Sequence, residues 1–122
     1  MSEPKDLSGS DLTGADLRGA DLNHANLNHA NLTGADLSDA DLGDADLTWA
    51  NLSHANLRKA IMRLANLSDA NLRDADMTWA DLSCADLRGA TLTDAILTGA
   101  YLTWADLTGA YLLPTWKLVR DE

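Results

Sequence analysis

The sequence predicts an all-β solenoid on three grounds: an unbroken five-residue period, the failure of that period to fit a helix, and the inability of so short a unit to bury a face alone. Leucine or methionine stands at every fifth position from Leu7 to Leu112, and alanine stands two residues earlier in every unit from Ala15 to Ala110, which makes 22 consecutive units of the form Ala-(Asp/Asn)-Leu-x-x. At about 100° per residue an α-helix would rotate its leucines by roughly 140° per unit, so no helical face would stay apolar. Alanine and leucine two apart do point to one side of an extended segment. Each unit is therefore expected to supply a strand of about three residues and then a corner. Stability must come from stacking coils so that leucine lies on leucine.

Runs such as Ala35-Asp36-Leu37-Ser38-Asp39 and Ala85-Asp86-Leu87-Arg88-Gly89 resemble the pentapeptide-repeat family, and the resemblance extends over residues 7–112. It implies a right-handed quadrilateral β-helix with four pentapeptides per coil, about five and a half coils in all, and the alanine and leucine of each unit turned inward.

In chain order, residues 1–6 are a lead-in, 7–112 the solenoid, and 113–122 a tail. Met1-Ser2-Glu3-Pro4-Lys5-Asp6 has no apolar signal-peptide core, and no stretch approaches a membrane span, so a cytoplasmic protein with no membrane partner is expected. At 122 residues there is room for one domain, and the absence of Phe beside so many Leu and Ala suits a narrow bore of uniform width. Pro4 and Pro114 lie outside the repeat, where a residue that cannot donate to a ladder belongs. Glycine concentrates at the last place of the unit, as at Gly14, Gly34 and Gly99, where a corner can require positive φ; His, Asp and Trp also occur there, so the corner tolerates side chains. Cys84 is alone, which excludes an internal disulfide and suits a reducing compartment, and the family geometry turns it outward.

The place between alanine and leucine holds ten Asp and six Asn among the twenty units from Asp11 to Asp106. Asp and Asn share the capacity to hydrogen-bond nearby backbone at a corner, so their role there is structural. Their summed charge remains, because the chain carries a net charge of −10. Coils rising about 4.8 Å make a rod of roughly 26 Å, or one net charge per about 2.6 Å. Duplex DNA carries one per about 1.7 Å. Such a rod repels nucleic acid, and no direct nucleic-acid partner is expected. The resemblance adds an alternative, since some pentapeptide-repeat proteins are DNA mimics that occupy DNA gyrase or a related topoisomerase and protect it from fluoroquinolones.

Nothing in the pattern supports catalysis, a metal or a cofactor. Ser and Thr recur after leucine in unit after unit, a surface-turn pattern without a base. His24, His29 and His54 fall on different corners or coils and do not converge. The departures from the consensus say more. Stacking units twenty residues apart brings Ile61, Leu64, Tyr101 and Trp104 to one face of the last three coils, while the first two coils of that face are polar. These four residues form a candidate protein-binding surface. At the end of the rod, Tyr111, Leu113, Trp116, Leu118 and Val119 are candidates to cap the last coil or to form a homodimer contact. The reading is a non-enzymatic module that presents a rigid acidic surface to a protein partner.

Overall fold

The structure, a computed structural model, describes residues 3–112. Its unit is a four-residue turn and one paired residue. The turn runs from each leucine to the alanine three residues on, and it is closed by a bond from the alanine N–H to the leucine C=O, as from Ala15 to Leu12 at 3.0 Å and from Ala110 to Leu107 at 3.0 Å. The residue between that alanine and the next leucine is the one that forms a β-bridge with another coil. The expected three-residue strand is thus reduced to a single parallel bridge, because the turn consumes four residues of every five.

Bridges always join residues twenty apart: Asp21 to Asp41, Asp41 to Ile61, Ile61 to Asp81 and Asp81 to Tyr101. Four pentapeptides therefore complete one coil. Each bridging residue beyond the first coil both donates to and accepts from the coil before it. Asn26 donates its N–H to the Lys5 carbonyl at 2.8 Å, and its own carbonyl accepts from Leu7 N–H at 2.7 Å.

The third residue of each turn has positive φ whether or not it is glycine. Fourteen non-glycine residues adopt it, including Leu64 at 62°, Cys84 at 60° and Trp104 at 62°. A left-handed conformation costs a side chain about 1–2 kcal/mol. The ladder enforces it, since the N–H of this residue donates to the next coil, as from Leu64 to the Ser83 carbonyl at 3.0 Å and from Cys84 to that of Thr103 at 2.8 Å. Tolerance of side chains at the corner is therefore imposed strain, not a relaxed backbone.

The core is the inward file of leucine, methionine and alanine. It is buried from Leu22 to Leu92, with Met62 and Met77 taking leucine places at no loss of burial. Leu7, Leu12 and Leu17 at one end, and Leu97, Leu102 and Leu107 at the other, are only half-buried. Tyr111 continues the ladder by bridging Thr91 and is exposed. Leu113, Trp116, Leu118 and Val119, the rest of the expected cap or dimer contact, lie outside the described residues. No helix among the described residues is long and apolar enough to cross a membrane.

Candidate functional site

The face that carries Leu22, Leu42, Met62, Leu82 and Leu102 on its inner side presents two outward files. Bridges align Asp21, Asp41, Ile61, Asp81 and Tyr101 in one. Turn bonds align His24, Asp44, Leu64, Cys84 and Trp104 in the other, each one coil above the last. Ile61 is 42% exposed, Leu64 57%, Tyr101 57% and Trp104 86%, so all four residues singled out in the sequence stand together on one side of the rod and face solvent.

Two of the four break the capping rule of the repeat, and the other two set large apolar side chains in its strained turn. In ordinary units the Asp or Asn carboxyl or amide oxygen accepts from the N–H two residues on, and often from a hydroxyl there too: Asn66 Oδ1 accepts from Ser68 N–H at 3.0 Å and from its Oγ at 2.7 Å. Asp46 does the same for Thr48. Asp and Asn are interchangeable in this role, as expected. Ile61 and Tyr101 give the acceptor up, leaving the N–H groups of Arg63 and Thr103 without it. Leu64 and Trp104 place large apolar side chains in left-handed turns. None of the four gains burial in exchange.

Between Ile61 and Tyr101 stands Asp81. It caps Ser83 at 3.0 Å from the N–H and 2.6 Å from the hydroxyl, and its Oδ2 pairs with Arg63 Nη1 at 3.4 Å. Partial burial pushes the Asp81 carboxyl up, but the Ser83 bonds and the Arg63 guanidinium outweigh it and hold the pKa below its ordinary value. The apolar residues therefore flank a carboxylate that is already compensated.

Two further residues belong to this surface. Trp79, in the adjoining corner file, lies over Gly99, where an added Cβ would come within 2.5 Å of the indole. Gly99 is two residues before Tyr101, so Trp79 extends the apolar surface around the corner, and exposed Ile96 on the neighbouring face continues it. The signal was available in the sequence. Side chains of the turn lean towards the residue twenty places on, as Trp79 does over Gly99 and as when His29 stacks on Trp49 with ring centroids 6.4 Å apart.

Charge is not spread evenly along the rod. Residues 6–46 hold nine Asp and one Arg, residues 47–68 hold no acid but Arg58, Lys59 and Arg63, and residues 69–112 hold seven Asp against Arg73 and Arg88. Net charges are thus −8, +3 and −5. The first segment spans about two coils, or roughly 10 Å, which is denser than duplex DNA over that length. Arg58 and Arg63 are spent on Asp76 and Asp81 one coil above, at 3.3 and 3.4 Å. On the Leu22 face the dense segment shows as Asp21, Asp41 and Asp44.

His24 and His54 lie near Asp44 and Asp74, at 3.8 and 3.6 Å, and His29 is at a third corner beside Trp49. No group of three potential metal ligands occurs among the described residues. Cys84 is exposed, as the family geometry implied.

The family model for pentapeptide repeats matches residues 6–44, 45–83 and 70–109 in eight copies. No curated protein matches in sequence. Among solved structures, the chain is similar to the pentapeptide repeat protein Rfr23 from the cyanobacterium Cyanothece 51142, at 41% identity over 76% of this chain and 64% of that one, with a TM-score of 0.75. It is also similar to a pentapeptide repeat protein of the Arabidopsis thaliana thylakoid lumen, at 38% identity over 76% of this chain and 68% of that one, with a TM-score of 0.65. A third is QnrB1, a plasmid-mediated fluoroquinolone resistance protein, at 25% identity over 87% of this chain and 61% of that one, with a TM-score of 0.66. The chain thus spans about two thirds of the length of these structures. With a ladder at intervals of twenty residues, an inward file of alanine and leucine, and a family match over almost all of the described residues, the chain belongs to the pentapeptide-repeat family.

Proposed function

We propose that this chain is a non-enzymatic interaction module, a right-handed quadrilateral β-helix of about five and a half coils that offers the Leu22 face to a protein partner. The observation that carries this reading is that Ile61 and Tyr101 give up the cap used by ordinary units, Leu64 and Trp104 put large apolar side chains in strained turns, each of the four stays exposed, and all four share one face. Local rules broken without a folding gain mark functional surface, and a grouped apolar patch with aromatic members is the composition of an interface centre. Replacing Leu64 and Trp104 by Ser is expected to leave the thermal midpoint nearly unchanged and to abolish co-purification of the native partner. Retained partner binding in that double variant would overturn the proposal.

A second reading, a DNA mimic directed at DNA gyrase, is supported by the charge density of residues 6–46 and by the likeness to QnrB1. The cationic belt at residues 47–68 argues against it, because it interrupts the acidic surface. The test is inhibition of gyrase supercoiling that fades as salt shortens the Debye length from about 10 Å at 0.1 M to about 3 Å at 1 M. No inhibition at micromolar protein would remove it.

At the C-terminal end, half-buried Leu97, Leu102 and Leu107 support a role for residues 113–122 as a cap with some homodimer contact. Deleting residues 114–122 is then expected to produce concentration-dependent oligomers in light scattering, and an unchanged mass and solubility would count against both roles.

A further inference from the structure

Resting on the protein-partner reading, we infer that the Leu22 face receives an amphipathic helix with an apolar end and a cationic end, laid along the rod. The two ends of the face differ in chemistry within the same files. One file reads Asp21, Asp41, Ile61, Asp81, Tyr101 and the other His24, Asp44, Leu64, Cys84, Trp104. Acid therefore lies at one end and apolar surface at the other. Asp81 does not blur this order, since Arg63 already pairs with it, whereas the carboxylates of Asp21, Asp41 and Asp44 form no ion pair with Lys or Arg among the described residues, the Lys5 ammonium being bound to the Asp21 backbone carbonyl at 2.8 Å. Asp44 has only His24 nearby, at 3.8 Å.

The backbone decides between a helix and an extended segment. Interior coils spend their ladder donors and acceptors on the coils above and below, as in Asp41 N–H to the Ala20 carbonyl at 2.9 Å and Leu42 N–H to that of Ile61 at 2.7 Å. A flat face of this kind offers no edge for strand addition, and a docked strand would face it with unsatisfied backbone. A helix satisfies its own backbone and binds through side chains alone. Four coil steps of about 4.8 Å give the face a length of about 19 Å, which matches a helix of about 13 residues. Apolar anchors on that helix would meet Ile61, Leu64, Tyr101 and Trp104, and Lys or Arg at its other end would meet Asp21, Asp41 and Asp44. Trp79 would border the apolar end.

The test uses the full chain and a displayed library of random 16-residue peptides, with binders selected on the wild-type chain alone. Selected peptides are expected to be helical when bound, with an excess of Lys and Arg at one end. Their affinity should fall by about thirtyfold or more on the Leu64→Ser/Trp104→Ser variant, as for loss of an interface centre. It should fall about fivefold on Asp41→Asn/Asp44→Asn, an effect that disappears in high salt. Asn preserves the acceptor that Gly43 N–H uses at Asp41, and Asn tolerates the left-handed turn at Asp44, so folding is not at issue. Peptides that need Leu64 and Trp104 but carry no cationic bias, or that ignore the aspartate changes, would overturn this inference and leave the protein-partner reading standing. If every binder of the wild-type chain is indifferent to Leu64 and Trp104, both fall.

Discussion

Residues 6–46 dress the rod with nine aspartates and one arginine, whereas eight of the nine large apolar side chains exposed among the described residues lie at or beyond Ile61. The hydrogen-bonding plan beneath them is the same: the same turn, the same bridge at twenty residues, the same file of buried leucine. In the first two coils the plan is followed closely, with Asp and Asn capping their own turns. In the last three coils it is broken at Ile61, Thr91, Ile96, Tyr101 and Tyr111. A solenoid separates scaffold from surface unusually well, since inward positions repeat and outward ones are free to vary. The difference between the two regions is therefore a difference in what they present, not in how they fold.

That shared plan can be broken first at the core. Leu67 is fully buried at mid-rod, and truncating such a side chain costs about 2–5 kcal/mol. Leu67→Ala is expected to lower the urea midpoint by a corresponding amount, and Leu7→Ala, at the half-open first coil, by clearly less. Equal losses would show that the end coils are as well covered as the middle. Surface departures should behave in the opposite sense. Asp46→Ala removes the acceptor used by Thr48 and is expected to cost about 1 kcal/mol, while Ile61→Asn restores one for Arg63 and should stabilise by up to about 1 kcal/mol. If Ile61→Asn destabilised the chain, Ile61 would be contributing to the fold and the surface argument would weaken.

A smaller effect concerns acid. Hydrogen bonds from Ser8 and Thr13 hold Asp6 and Asp11 below the ordinary 3.8, and those from Arg18, with its charge, bring Asp16 to about 2. In the later coils burial pushes Asp76 and Asp81 up, but their hydroxyl, backbone and arginine partners prevail, and at Asp86 the Arg88 guanidinium is the leading cause of the lowering. A depressed carboxylate stabilises the folded state above its unfolded pKa and loses that contribution as pH falls through the folded one. Unfolding midpoints should thus hold near pH 5 and decline between about pH 4 and pH 2. A midpoint that rose on acidification would mean that relief of repulsion among the first coils outweighs these bonds.

Much of this was legible in the sequence, for a physical reason. A five-residue period with no slip turns Leu and Ala into the interior of a coil, and the four units per coil that the family resemblance implies then assign Ile61, Leu64, Tyr101 and Trp104 to one face. The capping role of Asp and Asn also followed from their interchange. Less legible was the strain, because the closed turn sets positive φ on Leu64 and Trp104 as readily as on glycine. The strand length was overestimated, since alternation of Ala and Leu does not reveal that a turn begins at the leucine itself.

The central claim, that the apolar end of the Leu22 face is where a partner sits, is tested most directly by crosslinking from Cys84, which lies exposed between Leu64 and Trp104 in the turn file. A photoreactive group on this thiol in the native host should yield one discrete adduct. The same group on His54→Cys in a Cys84→Ser background, a turn residue of matching φ thirty residues away and so at the opposite corner, should yield none. An adduct of equal yield from both corners, or none from Cys84 while His54→Cys captures one, would contradict the assignment.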